Sequence, residues 1–207
     1  MKSYLKVLLA GVLSIYLTGC TGLLTVEQAA PEISIKPSKE PMVIAILDQR
    51  PYVLNRDKLP TFEGLIRSDF GRPSNSYTPT KETLSTYLGK RVEHGFKVKG
   101  RNTELLETNL DTTQKGLISK VRKSGKKALV IALREWKFDH HTFSKAAYYD
   151  VELAVFDKKG KTLVTKKFNG KDGIPSSPAL YNELQLIYKA RFEKMFSDPK
   201  VRRALEK

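Results

Sequence analysis

The sequence predicts an α+β domain: a mixed five-stranded sheet with helices packed on one face, in the order β-α-β-α-β-β-β-α. Three observations carry this reading. Residues 42–47 (M-V-I-A-I-L) and 128–133 are continuous apolar runs, the pattern of strands buried on both faces. Two segments between them, 80–94 and 111–124, space their apolar residues for one face of a helix. Tyr149, Val151, Leu153 and Val155 then alternate with Asp150 and Glu152, as in a half-exposed antiparallel strand. Mixed order of this kind favours helices layered on a mixed sheet, with the first strands parallel through right-handed crossovers and the last three an antiparallel meander.

The first strand, 42–47, closes in Asp48. Residues 49–79 hold Pro51, Pro60, Pro73, Pro79, Gly64 and Gly71, too many breakers for a long regular element, and read as a long loop. In 80–94, Leu84, Tyr87, Leu88 and Val92 share a helix face, and Gly95 sits where a C′ glycine would stop it. Residues 96–99 follow as a short strand. Asp111 and Gln114 resemble a capping box for the second helix, whose stripe is Leu117, Ile118 and Val121 and whose stop is Gly125. Residues 128–139, extended by Trp136 and Phe138, form the central strand. The run Asp157-Lys158-Lys159-Gly160 is a hairpin turn, and 163–168 pair back. Ser177 and Pro178 start the last long helix as N-cap and N1, and Asp198-Pro199 starts a short one.

The N-terminus decides location. Lys2 and Lys6 precede an apolar stretch at 7–17 that is too short to span a bilayer, which takes roughly 20 residues, and reads as a signal peptide over 1–19. Leu17, Thr18, Gly19 and Cys20 match a bacterial lipobox, and Cys20 is the only cysteine of the 207 residues. In proteins with that motif the cysteine sulfur takes a diacylglycerol and the new amino group a further acyl chain such as palmitate. Each buried methylene adds about 0.8 kcal/mol, so two or three chains hold a protein on a membrane without spanning it. Thr21 in place of Asp favours the outer membrane, with the domain facing the periplasm. Residues 20–41 carry Pro31, Pro37 and Pro41 and read as a tether, about 25 Å between its ends as a flexible coil. Alternatively, residues 32–35 add an edge strand. Residues 42–207 form a single domain.

Removal of 1–19 lowers the net charge from +15 to +13. Export makes nucleic acid inaccessible, so the partners expected for this basic chain are the membrane, an envelope protein, or an anionic glycan or lipid. No cofactor or metal signature is present. His140 and His141 are neighbours on a strand and point to opposite faces. Gly95 to Asn102 imitates a P-loop but has Arg101 for the lysine and follows a helix. No nucleophile motif appears, and the chain is expected not to be an enzyme.

The candidate binding residues lie at the end of the first strand and in the segment after it. Asp48 and Arg50 sit at a carboxyl strand end, where ligands of parallel sheets tend to bind. Arg50 offers a bidentate fork to a carboxylate or phosphate, or to Asp48 itself, which would pin the next loop. Arg56, Arg67 and Arg72 interleave with Tyr52, Phe62 and Phe70, the residue types of binding hot spots. A small envelope enzyme or lipid-handling protein, with a cleft at Asp48, Arg50 and His140, is the competing reading.

The lipobox, the apolar strand closing in Asp48-Gln49-Arg50, the helix ending Glu93-His94-Gly95-Phe96 and the hairpin at Asp157-Lys158-Lys159-Gly160-Lys161 resemble the YajG-like bacterial lipoproteins. The resemblance covers residues 17–195 in element order. It implies an outer-membrane lipoprotein facing the periplasm, with no catalytic centre to carry over. Asp48 and Arg50 are the shared residues, and the long 49–79 segment is the departure.

Overall fold

A computed structural model describes residues 22–207. The signal peptide and the lipobox residues Leu17, Thr18, Gly19 and Cys20 lie outside the described residues.

The sheet is organised around β5 (Lys127–His141), the long strand anticipated at 128–139. One edge of β5 pairs along its whole length with antiparallel β6 (Ser144–Phe156), which pairs in turn with antiparallel β7 (Thr162–Gly173). The other edge is shared by two strands end to end. β1 (Ser38–Asp48) runs parallel to the first half, from Met42↔Lys127 to Asp48↔Leu133. β2 (Phe62–Arg67) runs parallel to the second half, from Gly64↔Phe138 to Ile66↔His140. β3 (Pro73–Tyr77) then pairs antiparallel with β2, and β4 (Arg101–Leu105) parallel with β1. The mixed α+β sheet is as expected, but it has seven strands.

The two additional strands come from the segment expected to be a 49–79 loop. It folds as a one-turn helix α1 (Pro51–Leu54) followed by the β2–β3 hairpin. Its prolines and glycines mark corners: Pro51 opens α1, and Gly71, at φ 76°, turns the hairpin.

A bulge between Leu133 and Glu135 changes the phase of β5. Before it, Leu129, Ile131 and Leu133 face the larger core; after it, Trp136 and Phe138 do. That core is covered by α2 (Leu84–Val98), α4 (Leu180–Ser197) and α5 (Pro199–Glu206). Trp136 stacks on Phe192 at 5.5 Å. The expectation of helices on one face holds for these three but not for α3 (Gln114–Ser124). Its Leu117 and Val121 cover the other face, over Val43, Ala45, Leu47, Val130 and Ala132. Residues 42–47 of β1 and 128–133 of β5 are apolar at every position, so both faces must be covered.

α2 does not stop at Gly95. It runs to Val98 and is followed by Gly100 in the left-handed region at φ 71°, so the strand expected at 96–99 begins at Arg101 instead. Gly95 serves a different need: a Cβ there would lie 2.5 Å from the Pro31 carbonyl oxygen. In α3 the cap is Thr113, whose hydroxyl accepts from Gly116 N–H, and Gly125 ends the helix at φ 63°. α4 starts at Leu180 with no side-chain cap, so Ser177 is not its N-cap; Asp198 does cap α5.

The expected tether is a packed strap, and it adds no edge strand. Ala29, Ala30, Ile33 and Ile35 are buried. Its backbone N–H groups donate to helix side chains: Leu24 to Asn182 Oδ1 at 3.0 Å, Glu32 to Glu193 Oε1 at 3.0 Å, and Lys36 to Glu206 Oε1 at 3.2 Å. Asn182 also donates to the Gly22 carbonyl at 2.9 Å, so the strap begins at the first turn of α4. It runs beside α4 to the far end of the sheet, where β1 starts.

Candidate functional site

Where β1 stops and β2 has not begun, β5 has no strand partner on that edge for four residues, 134–137. Arg50 fills that gap. Its guanidinium is 0% exposed. Nη1 donates to the carbonyls of Phe62, at 2.7 Å, and Trp136, at 3.0 Å: the first residue of β2 and a residue in the unpaired stretch of β5. Buried carbonyls need partners, and one side chain supplies both. The other side of the fork is taken by Asp48: Nε to Oδ1 at 2.8 Å and Nη2 to Oδ2 at 2.7 Å. Burial pulls the Arg50 pKa down, but the bonds and charge of Asp48 more than offset this, and the guanidinium stays charged. Arg50 and Asp48 therefore hold each other and the strand junction: of the two partners expected for the fork, a ligand anion and Asp48, it is Asp48 that occupies it.

The other expected binding residues separate into two groups. Phe62 is buried, and the Tyr52 hydroxyl donates to Glu135 Oε1 at 2.6 Å. Arg67 forks onto Asp139, with two bonds of 2.7 Å. These three hold the β2–β3 hairpin on β5 and are not free for a ligand. Arg56, Phe70 and Arg72 are exposed, with Phe70 94% exposed at the hairpin tip. His140 pairs with Ile66 four residues beyond Trp136, about 13 Å along the strand. It therefore does not converge with Arg50. Burial and the Lys145 charge hold its pKa below the usual histidine value. Among the described residues no three His, Cys, Asp or Glu side chains are grouped to hold a metal ion. No helix there is long and apolar enough to cross a membrane.

Sequence reasoning missed a buried polar cluster under β2. Glu63 is fully buried, and its pKa is pushed up to about 7 by burial, against the pull of the Arg91 and Arg50 charges. Arg91 stacks 3.6 Å over the Tyr87 ring and donates to Gln185 Oε1 at 2.8 Å. Glu63 Oε2 and the hydroxyls of Tyr87 and Tyr188 have no hydrogen-bond partner among the described residues. In the sequence Glu63 is one acid among 22, with no pattern to mark it.

The outer edge of β3 is unpaired among the described residues, and a groove of about 710 Å³ runs along it. Leu59, Ile66, Tyr77 and Pro79 give it apolar walls, and Tyr181 of α4 closes one side, hydrogen-bonded to Ser76 Oγ at 2.9 Å. An open edge offers backbone N–H and C=O groups to another chain, and the adjoining pockets take alternate side chains. Two basic clusters gather elsewhere: Lys120, Arg122, Lys123 and Lys126 at the end of α3, and Lys158, Lys159 and Lys161 at the β6–β7 turn. The turn at Gly160 lies against the Arg122 side chain near the end of α3, so both basic clusters share the end of the sheet farthest from Gly22.

No protein-family model and no curated protein sequence matches the chain. Solved structures similar to it include an uncharacterised protein (10% identity, 85% of this chain and 99% of the other, TM-score 0.45). Another is the lipoprotein GNA1162 from Neisseria meningitidis (17% identity, 76% and 99% covered, TM-score 0.34). A third is the hypothetical protein CT253 from Chlamydia trachomatis (9% identity, 82% and 98% covered, TM-score 0.44).

Proposed function

We propose that the chain is a bacterial envelope lipoprotein, held on the outer membrane by acyl groups on Cys20, that binds or scaffolds a protein partner without catalysing a reaction. The observation that carries the binding reading is the open edge of β3 beside its apolar groove. An extended segment of a partner adds there as a further strand, main chain to main chain, with its side chains in the wall formed by Leu59, Ile66 and Tyr77. The competing enzyme reading needs Arg50 and His140 at one substrate. Arg50 is consumed by Asp48 and two carbonyls, and His140 lies farther from it than hydrogen-bond reach.

The test is differential capture. Acylated protein is crosslinked in intact cells and purified, alongside the double variant Leu59→Lys, Tyr77→Lys. The expected result is one protein captured by the native chain and lost from the variant at equal expression. An unchanged captured set would remove the groove from the account.

A further inference from the structure

The strap fixes where the anchor leaves the domain. Gly22 is fastened to Asn182 in the first turn of α4. Cys20 precedes Gly22 by two residues, a reach of at most about 7 Å. The acyl chains therefore enter the membrane beside the first turn of α4, whatever conformation those two residues adopt.

The same end of the sheet carries the two most exposed phenylalanines of the described residues. α4 lies antiparallel to β5: its Tyr181 meets Ser76, opposite the second half of β5, and Asp198 beyond its far end pairs with Lys166. The β5–β6 turn holds Phe143, 89% exposed, and the β2–β3 tip holds Phe70, 94% exposed. The turns are joined directly, Thr142 Oγ1 donating to Asp69 Oδ1 at 3.1 Å. The Lys145 backbone and side chain bond to Ile174 N–H and Ser176 Oγ in the segment leading into α4. Arg72 and Lys145 flank the tips and Lys171 lies three residues further back along the sheet, none with a carboxylate partner among the described residues; Asp69 sits at the tips, and Asp139 and Asp172 are taken by Arg67 and Arg191.

We propose that this end of the domain docks on the bilayer that carries its own acyl chains, with Phe70 and Phe143 inserted at the level of the headgroups and Arg72, Lys145 and Lys171 against lipid phosphates. The proposal rests on acylation of Cys20. Exposed aromatic side chains that an anchor holds at the interface gain by leaving water, and nearby cations favour anionic lipid. Docking in this pose turns the basic end of the sheet away from the membrane and leaves the β3 groove open at the side.

The test uses acylated, full-length mature protein in vesicles of phosphatidylethanolamine and phosphatidylglycerol. Tryptophan is placed in turn as Phe70→Trp, Phe143→Trp and, at the opposite end, Lys159→Trp; buried Trp136 gives a constant background. Tryptophan at 70 and 143 is expected to be quenched by brominated acyl chains severalfold more than at 159, with a blue shift. Equal quenching at all three positions overturns the docking. A blue shift at 70 and 143 without lipid quenching also overturns it, and assigns the tips to a protein contact or a second copy. Mass spectrometry of the same sample reads Cys20: an unacylated cysteine overturns the anchor and the docking together, whereas acylated protein with unquenched tips overturns the docking alone.

Discussion

Asp48 and Arg50, two residues apart on one strand end, form a buried fork-to-fork pair, and the free side of the arginine closes the break between β1 and β2. The pair is thus the joint by which a single strand, β5, carries two parallel neighbours in succession.

Removing one partner of a buried pair leaves an uncompensated charge, which costs about 3–5 kcal/mol. Asp48→Ala is expected to destabilise the domain by that order in urea denaturation. Arg50→Lys is expected to rescue little relative to Arg50→Met, because an ammonium cannot span Asp48, Phe62 and Trp136 together. Full stability of Arg50→Lys would contradict the joint.

Glu63 makes stability depend on pH. The unfolded chain releases this proton near 4.5, and the folded chain near 7. Between those values the folded state binds the extra proton, so stability falls as pH rises through the window, by about 3 kcal/mol in all. Glu63→Gln, which stays neutral, is expected to flatten that slope and to stabilise the chain more at pH 8 than at pH 5. Parallel stability profiles for variant and native chain would contradict it.

Gly95 is needed for close approach of the strap. Gly95→Ala places a methyl against the Pro31 carbonyl and the Ile33 side chain, a misfit worth about 1–3 kcal/mol. Limited proteolysis is expected to cut the variant faster within residues 24–37, while the cores on either face of the sheet stay protected. Unchanged cutting would show that the strap is held without this contact.

The strands at 42–47 and 128–133 were legible because burial on both faces demands apolar residues at every position, and little else in the chain has that pattern. The β6–β7 turn was legible because Gly160 is required at positive φ, here 75°. Gly95 misled because the same residue type serves two needs: its lack of a Cβ admits Pro31, while the helix end belongs to Gly100. The β2–β3 hairpin was hidden in a segment where six residues, F-E-G-L-I-R, stand between breakers that mark corners. The strap was hidden because Ala29, Ile33 and Ile35 dock on helices, a surface that has no period along the strap's own sequence. Of the expected site residues, Asp48 and Arg50 were found for their position at a strand end, but their bonding across the gap depends on β2. The groove depends on which edge of the sheet is left open, which only the full pairing order decides.

The β3 edge is tested most directly by photocrosslinking in intact cells, with a photoreactive residue placed in turn at Asn75 on β3 and at Lys159 on the β6–β7 turn. The account predicts a discrete adduct with one envelope protein from position 75, mapped to an extended segment of that partner, and none from 159. An adduct from 159 with none from 75 would contradict it.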